Sequence, residues 1–439
     1  MSQNKKEICV LGLGYIGLPT ASMFATHGYR VHGVDTDPHV VSTLKSGEVH
    51  IEEPGLSTIV KGALSSKHLT VSLQPQHADI FIIAVPTPYK KSKGPFPKAD
   101  LSYVLSALKS ILPYLRKGNL VILESTSPPG TSQELMIPLI NKAGFKPGKD
   151  IGIAYCPERV IPGKALRELV DNDRVIGAVD EAWGSKTKEL YKAFVSGEIF
   201  LTDLTVAEMV KVVENTFRDV NIALANQVAL LCEKLGISVW DVIKIANRHP
   251  RVNVHRPGPG VGGHCISVDP WFLVEKFPKD SGLIQRARVV NDQMPAHVAQ
   301  QIEKFVQKIK KPKIAILGLA YKGNVDDIRE SPSLKVIELL AKRHPSFELA
   351  PYDPHVHLKR FPKQGLLDVF RDADLAVILT AHDDFQLLDP NKVGDLMKKR
   401  VIYDTHQALS PIRWTSAGFD YHALGVGEPE IKRILSRSS

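Results

Sequence analysis

The sequence predicts an α/β protein in which two parallel-sheet domains are joined by one long central helix. Three observations carry that prediction. Short apolar runs alternate with helix-like stretches over residues 1–150, which is how βαβ units read. Residues 205–235 then contain neither Gly nor Pro, and after Lys310 the strand–turn–helix alternation starts again. A chain of 439 residues suits two or three domains of ~100–200 residues each.

Taken in order, Glu7-Ile8-Cys9-Val10-Leu11 reads as the first strand, followed by a Gly-rich turn and a helix from Thr20 to His27. Tyr29 to Asp35 is the second strand, and Asp79 to Val85, Asn119 to Glu124 and Asp150 to Tyr155 are further apolar strands. In the long helix, Thr205 and Glu208 have capping-box spacing at the start and Gly236 lies just past the end. Beyond it, Lys313 to Leu317 is a strand, GLAYKG a turn and Pro332 to Arg343 a helix. Phe347 to Tyr352 is a strand closed by Asp353, and Leu375 to Thr380 and Val401 to Asp404 follow. This repeats the plan of the first domain, strand, Gly-rich turn, helix and strand ending in Asp, without repeating its sequence.

Composition narrows the function classes. Hydrophobic residues at 43% and charged residues at 23% describe an ordinary globular chain rather than a disordered one. No apolar run approaches ~20 residues, and the N-terminus passes into a strand pattern with no signal-peptide core, so no membrane span is expected. Four scattered cysteines (Cys9, Cys156, Cys232, Cys265) suit neither a disulfide framework nor a metal site, and the expected compartment is cytoplasmic. The net charge of +9 raises the question of nucleic acid, but no basic run exceeds three residues (Lys398 to Arg400) and no nucleic-acid module is recognisable. An anionic small substrate or a solvated basic surface accounts for the charge equally well.

Gly12-Leu13-Gly14-Tyr15-Ile16-Gly17 is GxGxxG between a strand and a helix. In that pattern the first Gly makes the turn, the second admits a pyrophosphate and the third lets helix and strand pack closely. Asp35, at the end of the next strand, is placed to bind a ribose 2′-hydroxyl, which favours NAD over NADP. The first domain is therefore Rossmann-like and binds NAD. In the second unit only Gly318 and Gly323 remain of the pattern, and Lys322 stands where a pyrophosphate would need close approach. That turn, with Tyr321, Lys322 and Arg329 near it, is either another phosphate site or a domain kept for packing.

GPGVGGHC, residues 258–265, strips side chains from a loop that ends at Cys265. A ligand can approach such a thiol closely, and Asp269 four residues on can position a water or the thiol. Cys9 and Cys232 instead read as buried small hydrophobes. On the long helix Lys211, Asn215 and Arg218 fall on one face, either as a solvated stripe or as groups that hold a water or an oxyanion. Val212, Val213, Phe217 and Ile222 cover another face. Glu158, just after the strand ending at Tyr155, is either a base or an ordinary salt-bridging Glu.

GLGYIGLP, VPTP (Val85 to Pro88), ESTSPPGT, CPERVIPG, AEMVKVVEN, GPGVGGHCISVDPW and GLAYKGNVDDIRESP, in this order, resemble the nucleotide-sugar 6-dehydrogenases over nearly the whole chain. NRHPRVN and PERVIPGKALRELVDNDRVIG are most similar to the branch that acts on UDP-N-acetylmannosamine. The resemblance implies an NAD-dependent, four-electron oxidation of the C6 hydroxymethyl of a UDP-N-acetylhexosamine to a carboxylate, consuming two NAD and serving cell-surface polysaccharide synthesis. It implies that Cys265 carries a thiohemiacetal and then a thioester. Lys211, with Asn215, would move a proton or support an oxyanion, and Glu158, Asp269 and Thr126 would assist. Tyr15, Ile16, Asp35, Val85, Thr87, Thr126 and Arg329 would line NAD. Arg159, Val160, Lys211, Asn215, Arg218, His249, Arg251, Gly262, Tyr321 and Lys322 would line the UDP-sugar. The implied domains are 1–200 for NAD, 201–305 for the dimerisation helix and cysteine loop, and 306–439 for UDP. The implied assembly is a homodimer, and the expectation includes no metal, nucleic-acid or membrane partner.

One departure is Asp404-Thr405-His406, where many relatives have Asp-x-Arg or Asp-x-Lys. Oxidation of the GlcNAc, GalNAc or glucose nucleotide, a single-step hydroxyacid-type dehydrogenase and an NAD-binding protein without turnover are the competing readings.

Overall fold

The structure, a computed structural model, describes residues 6–90, 94, 96–161, 163–361 and 364–427. The first five residues, read above as carrying no leader, and Pro162 of CPERVIPG lie outside the described residues. The chain forms two compact units. One runs through residue 214 and takes in 271–278; the other comprises 215–270 and the residues from 279 onward.

The strands of the first unit are β1 (Glu7–Leu11), β2 (Arg30–Val34), β3 (Leu69–Ser72), β4 (Ile80–Ile83), β5 (Tyr89–Lys90), β6 (Lys98–Ala99), β7 (Leu120–Leu123), β8 (Gly152–Tyr155), β9 (Arg174–Ala178) and β10 (Ile199–Asp203). β5 and β6 form a small antiparallel ribbon. The remaining eight make one sheet in the order β10-β9-β8-β7-β4-β1-β2-β3. From β3 to β8 the strands are parallel in the 3-2-1-4-5-6 arrangement of a dinucleotide-binding sheet. Both faces are buried. Ile8, Val10, Ile82 and Ile122 pack on one side with Leu18 and Phe24, while Cys9, Leu11, Phe81, Ile83 and Val121 pack on the other with Val104 and Leu108. That is why these strands read as continuous apolar runs rather than alternating ones.

β9 and β10 fall outside the strands expected from sequence, and β9 runs antiparallel to β8. The reversal brings its first residue, Arg174, to the carboxyl end of the parallel sheet.

The first helix is Gly17–Thr26, starting three residues before the expected Thr20 because it begins inside the glycine turn. The long helix is Leu204–Leu235, about 48 Å from end to end. Its cap differs from the expected Thr205/Glu208 box: Asp203 accepts the Val206 N–H at 2.8 Å. Glu208 is wholly buried and serves another segment. At the far end Gly236, at φ +72°, and the Ile237 N–H bonded to the Cys232 carbonyl at 3.1 Å close the helix in a Schellman turn.

The second unit holds β11 (Lys313–Leu317), β12 (Glu348–Tyr352), β13 (Leu375–Ile378), β14 (Val401–Asp404) and β15 (Asp420–Ala423), all parallel, in the order β12-β11-β13-β14-β15. This is the other doubly wound order, 2-1-3-4-5. The glycine turns of the two sheets share their opening geometry. Gly12 (φ +89°) donates to the Val34 carbonyl and Gly318 (φ +95°) to the Tyr352 carbonyl, each at 2.8 Å. Among the described residues no helix is long and apolar enough to cross a membrane, and no group of three His, Cys, Asp or Glu is arranged to hold a metal.

Candidate active site

In the first unit the glycines take three distinct roles. A Cβ on Gly12 would lie 2.7 Å from the Ala84 carbonyl oxygen, and one on Gly17 would strike the Gly12 carbonyl. A Cβ on Gly14 would meet nothing within 4 Å. The middle of the loop is therefore open, as a pyrophosphate requires, and the helix Gly17–Thr26 presents its N-terminus there. Asp35 follows β2 directly and is half-buried, its Oδ2 accepting the Leu13 N–H and its Oδ1 the Asp37 N–H, each at 2.9 Å. Tyr15, Ile16, Val85, Thr87 and Thr126 are all partly exposed, and the last three follow the carboxyl ends of β4 and β7. These residues fit a bound NAD.

Thr126 lies on a loop that is fixed from several sides. The Ser125 hydroxyl donates to the Val85 carbonyl at 2.7 Å. The Glu208 carboxylate accepts the Gly130 and Ser132 N–H groups, the latter at 2.8 Å. Lys276 donates to the Pro129 carbonyl at 2.5 Å and pairs with Glu134 at 2.6 Å. Burial pushes the Glu208 carboxyl above its ordinary range, against the pull of its bonds to Ser132 and Gly130. Glu208 stands one helical turn before Lys211, itself 7% exposed.

Glu158 is buried just beyond β8 with both oxygens engaged: Arg174 Nη2 donates to one at 2.8 Å and the Arg159 N–H to the other at 2.7 Å. The Arg159 guanidinium is in turn paired with Glu214, at 2.5 Å for the shorter contact, and donates to the Asp173 carbonyl. Val160 beside it is partly exposed. Behind Glu158 lies a cluster that sequence reasoning did not single out. Glu124, fully buried at the end of β7, accepts from the Tyr191 hydroxyl at 2.5 Å. Burial raises its carboxyl to about 7, with Arg174 pulling it down and Glu158 pushing it up. The Cys156 thiol in the same cluster is raised to about 12, first by burial.

In the second unit Asn215 Nδ2 donates to Asp269 Oδ2 at 2.5 Å, both groups being buried. The Cys265 carbonyl accepts the Val268 and Asp269 N–H groups, forming the turn that starts the helix Asp269–Lys276. Cys265 is partly exposed, whereas Cys9, Cys156 and Cys232 are buried as small hydrophobes. The glycines before it are steric necessities. A Cβ on Gly262 would lie 2.6 Å from the Tyr321 Cβ, and one on Gly263 would lie 2.9 Å from the Tyr321 ring. The Gly263 N–H donates to the Arg329 carbonyl at 2.9 Å, so the cysteine loop is seated on the turn that carries Tyr321 and Lys322. Lys322 is exposed; the Arg329 guanidinium forks onto Asp327, its shortest contact 2.6 Å.

The second sheet's glycine turn lacks the opening seen at Gly14. The counterpart position is Ala320, wholly buried, and Asp353, the counterpart of Asp35, is buried too. The Asp353 carboxylate is taken up by the N–H groups of Leu319, Ala320, His355 and Val356 and by His382. His406 lies against Gly258, partly buried, and points Nε2 at the Leu379 carbonyl, and desolvation lowers its pKa. Asp404 is spent on the His406 and Leu409 N–H groups and the Tyr421 hydroxyl. Along the long helix Lys211 and Asn215 are buried while Arg218, expected on the same face, is exposed. His249 and Arg251 are exposed on a loop whose flanks Asn221 and Asn247 hold through paired backbone hydrogen bonds.

The open dinucleotide cradle of the first unit fits a dinucleotide-dependent dehydrogenase. Comparison with known proteins gives its class. The UDP-glucose/GDP-mannose dehydrogenase family matches through its NAD binding domain at residues 6–195, its central domain at 205–293 and its UDP binding domain at 315–411. The chain belongs to this family and is an NAD-dependent oxidoreductase. It is 49% identical to the UDP-N-acetyl-D-mannosamine dehydrogenase of Methanococcus maripaludis, over 96% of this chain and 97% of that one. It is 43% identical to an NDP-N-acetyl-D-galactosaminuronic acid dehydrogenase of Ralstonia nicotianae, over 93% and 97%. The solved UDP-D-ManNAc dehydrogenase of Pyrococcus horikoshii superposes with a TM-score of 0.89 at 42% identity, covering 95% of this chain and 99% of that one.

Proposed function

We propose that the chain oxidises C6 of UDP-N-acetylmannosamine to the carboxylate, with Cys265 as the covalent nucleophile. The observation that carries this reading is Cys265 itself, the one cysteine that is not buried, on a loop whose glycines pack against Tyr321. NAD, when bound by the first unit, would supply the hydride acceptor for two successive oxidations at C6. The Cys265 sulfur adds to the aldehyde left by the first oxidation and forms a thiohemiacetal, which the second converts to a thioester. Water cleaves that thioester and releases the carboxylate and the free thiol, so one difficult oxidation is divided and the aldehyde is retained. Lys211 and Asn215 support the oxygen at C6, Asp269 orients Asn215 and a water, and Glu158 and Thr126 assist proton movement. Arg159, Val160, Arg218, His249, Arg251, Tyr321 and Lys322 bind the nucleotide-sugar, and Arg329 acts toward the cofactor. The product serves polysaccharide assembly.

The assembly we propose is a homodimer. Val206, Met209, Val213, Phe217, Leu224, Leu231 and Leu235 are exposed at helical spacing along the long helix, an apolar stripe suited to a second copy.

The deciding experiment measures NADH formed from the UDP-linked ManNAc, GlcNAc, GalNAc and glucose in parallel. ManNAc turnover with two NADH per sugar is expected, and Cys265→Ala should bind NAD yet form no acid. Acid formation by that variant refutes the covalent route; preference for another epimer, which the Ralstonia relative makes the second reading, refutes the substrate assignment.

A further inference from the structure

The chemistry proposed above leaves the buried ionic cluster around Arg174 without a task. Arg174 is 3% exposed and donates through Nη2 to Glu158. Its other contacts are weak: Nη1 lies 3.8 Å from the Cys156 sulfur, and Nη2 also lies 3.5 Å from the Leu169 carbonyl. The guanidinium lies over the Tyr191 ring, 4.9 Å from its centroid. The hydroxyl of that same Tyr191 donates to Glu124. Burying such a pair does little for stability, because desolvating both charges offsets most of their attraction. The arrangement does fix a carboxylate in space.

We propose that Arg174 is a positioning residue for the oxidation: it holds the Glu158 carboxylate at the carboxyl end of β8, and Glu124 governs how much of its charge Glu158 receives. This rests on the reading of Glu158 as an acid–base group. The guanidinium bonds to Glu158 and lies over the ring of Tyr191, whose hydroxyl bonds to Glu124, so the two carboxyls are linked through Arg174 and Tyr191. When Glu124 is neutral, Arg174 is committed to Glu158; when Glu124 ionises, the cluster carries two anions on one cation and the hold on Glu158 slackens. The neighbours of Glu124 come from four elements: Arg174 from β9, Tyr191 from the helix Glu181–Tyr191, Thr20 from the helix Gly17–Thr26, and Cys156 and Glu158 from the segment after β8. Burial raises the Glu124 carboxyl into the neutral range. β9 supplies the cation because its reversed direction starts it where the parallel strands end.

The test uses the full chain with NAD and its nucleotide-sugar, and measures kcat and KM across about pH 5.5 to 9.5 for Arg174→Lys, Glu124→Gln, Glu158→Gln and the Arg174→Lys/Glu158→Gln double variant. Lys keeps the charge but loses the planar fork. Arg174→Lys should lower kcat about 10- to 100-fold, with the KM for NAD within about two-fold of the parent. The double variant should be no slower than Glu158→Gln alone, because both changes act through one carboxylate. Glu124→Gln should remove an ionisation near neutrality from the kcat profile and abolish the infrared band of a buried protonated carboxyl. A full-rate Arg174→Lys, additive losses in the double variant, or a Glu124→Gln profile that superimposes on the parent overturns the inference. If Glu158→Gln retains kcat, the acid–base reading of Glu158 fails first. If Arg174→Lys loses NAD binding, Arg174 is structural and the proposal falls.

Discussion

Replacing Glu124 with Gln should stabilise the protein in alkaline solution and have little such effect in acid. Burial lifts this carboxyl from 4.5 to about 7, even though Arg174 and the Tyr191 hydroxyl favour its charged form. The folded value lies above the unfolded one, so the stability linked to this proton is complete below about pH 4.5. It falls by about 1.4 kcal/mol per pH unit between the two values and is gone above about pH 7. The total is about 3 kcal/mol, of the order of a large core truncation. Gln keeps the oxygen that accepts from Tyr191 and cannot ionise, so its stability escapes this decline. Any cost of fitting the amide beside Thr20 is independent of pH and cancels when pH values are compared. The assay is hydrogen exchange in graded urea on peptides spanning β7 and β8, from about pH 5 to about pH 8. The variant-minus-parent difference should rise by about 2.5 kcal/mol over that range; a flat or falling difference refutes the assignment of a neutral buried acid.

Three further predictions follow from single contacts. Gly262→Ala places a Cβ 2.6 Å from Tyr321 and 2.8 Å from Pro332; it should cost about 1–3 kcal/mol of stability and raise the KM for the nucleotide-sugar while leaving NAD affinity unchanged, as fluorescence titration would show. Glu208→Gln takes an acceptor from one of two buried N–H groups, at Gly130 or Ser132. It should cost about 1–3 kcal/mol and reduce kcat by displacing the Thr126 loop, whereas an unaltered melting temperature and kcat would show that the loop holds without it. Phe217→Glu, on the exposed apolar stripe, should convert the proposed homodimer to monomer in sedimentation equilibrium, and a parent that is itself monomeric, or an unchanged mass, would refute this interface.

Both sheets could be traced in the sequence because two-sided burial writes each central strand as an apolar run, and because Gly12 and Gly17 answer to local steric demands. What escaped is non-local. Nothing near Arg174 announces a strand antiparallel to β8, since pairing across the sheet decides direction. Asp203 takes the cap that Thr205 and Glu208 suggested because Glu208 is needed by backbone more than seventy residues away in sequence, at Gly130. Glu124 was visible inside ESTSPPGT, yet its importance comes from Tyr191 and Arg174, which no spacing links to it. Lys211 and Asn215 separate from Arg218 because burial along the helix changes within two turns, which a face drawn from periodicity alone averages away.

The first unit is not a continuous stretch of chain. It requires residues 271–278, where Glu275 accepts the Ala99 N–H at 2.7 Å and Lys276 holds the Pro129 carbonyl. A fragment ending at residue 214 would carry the whole glycine cradle but leave the β5–β6 ribbon and the Thr126 loop without those partners. A cassette of the cofactor half cut at residue 214 would therefore lose these ties, and an exchange that keeps them must bring the short segment after Cys265 with it.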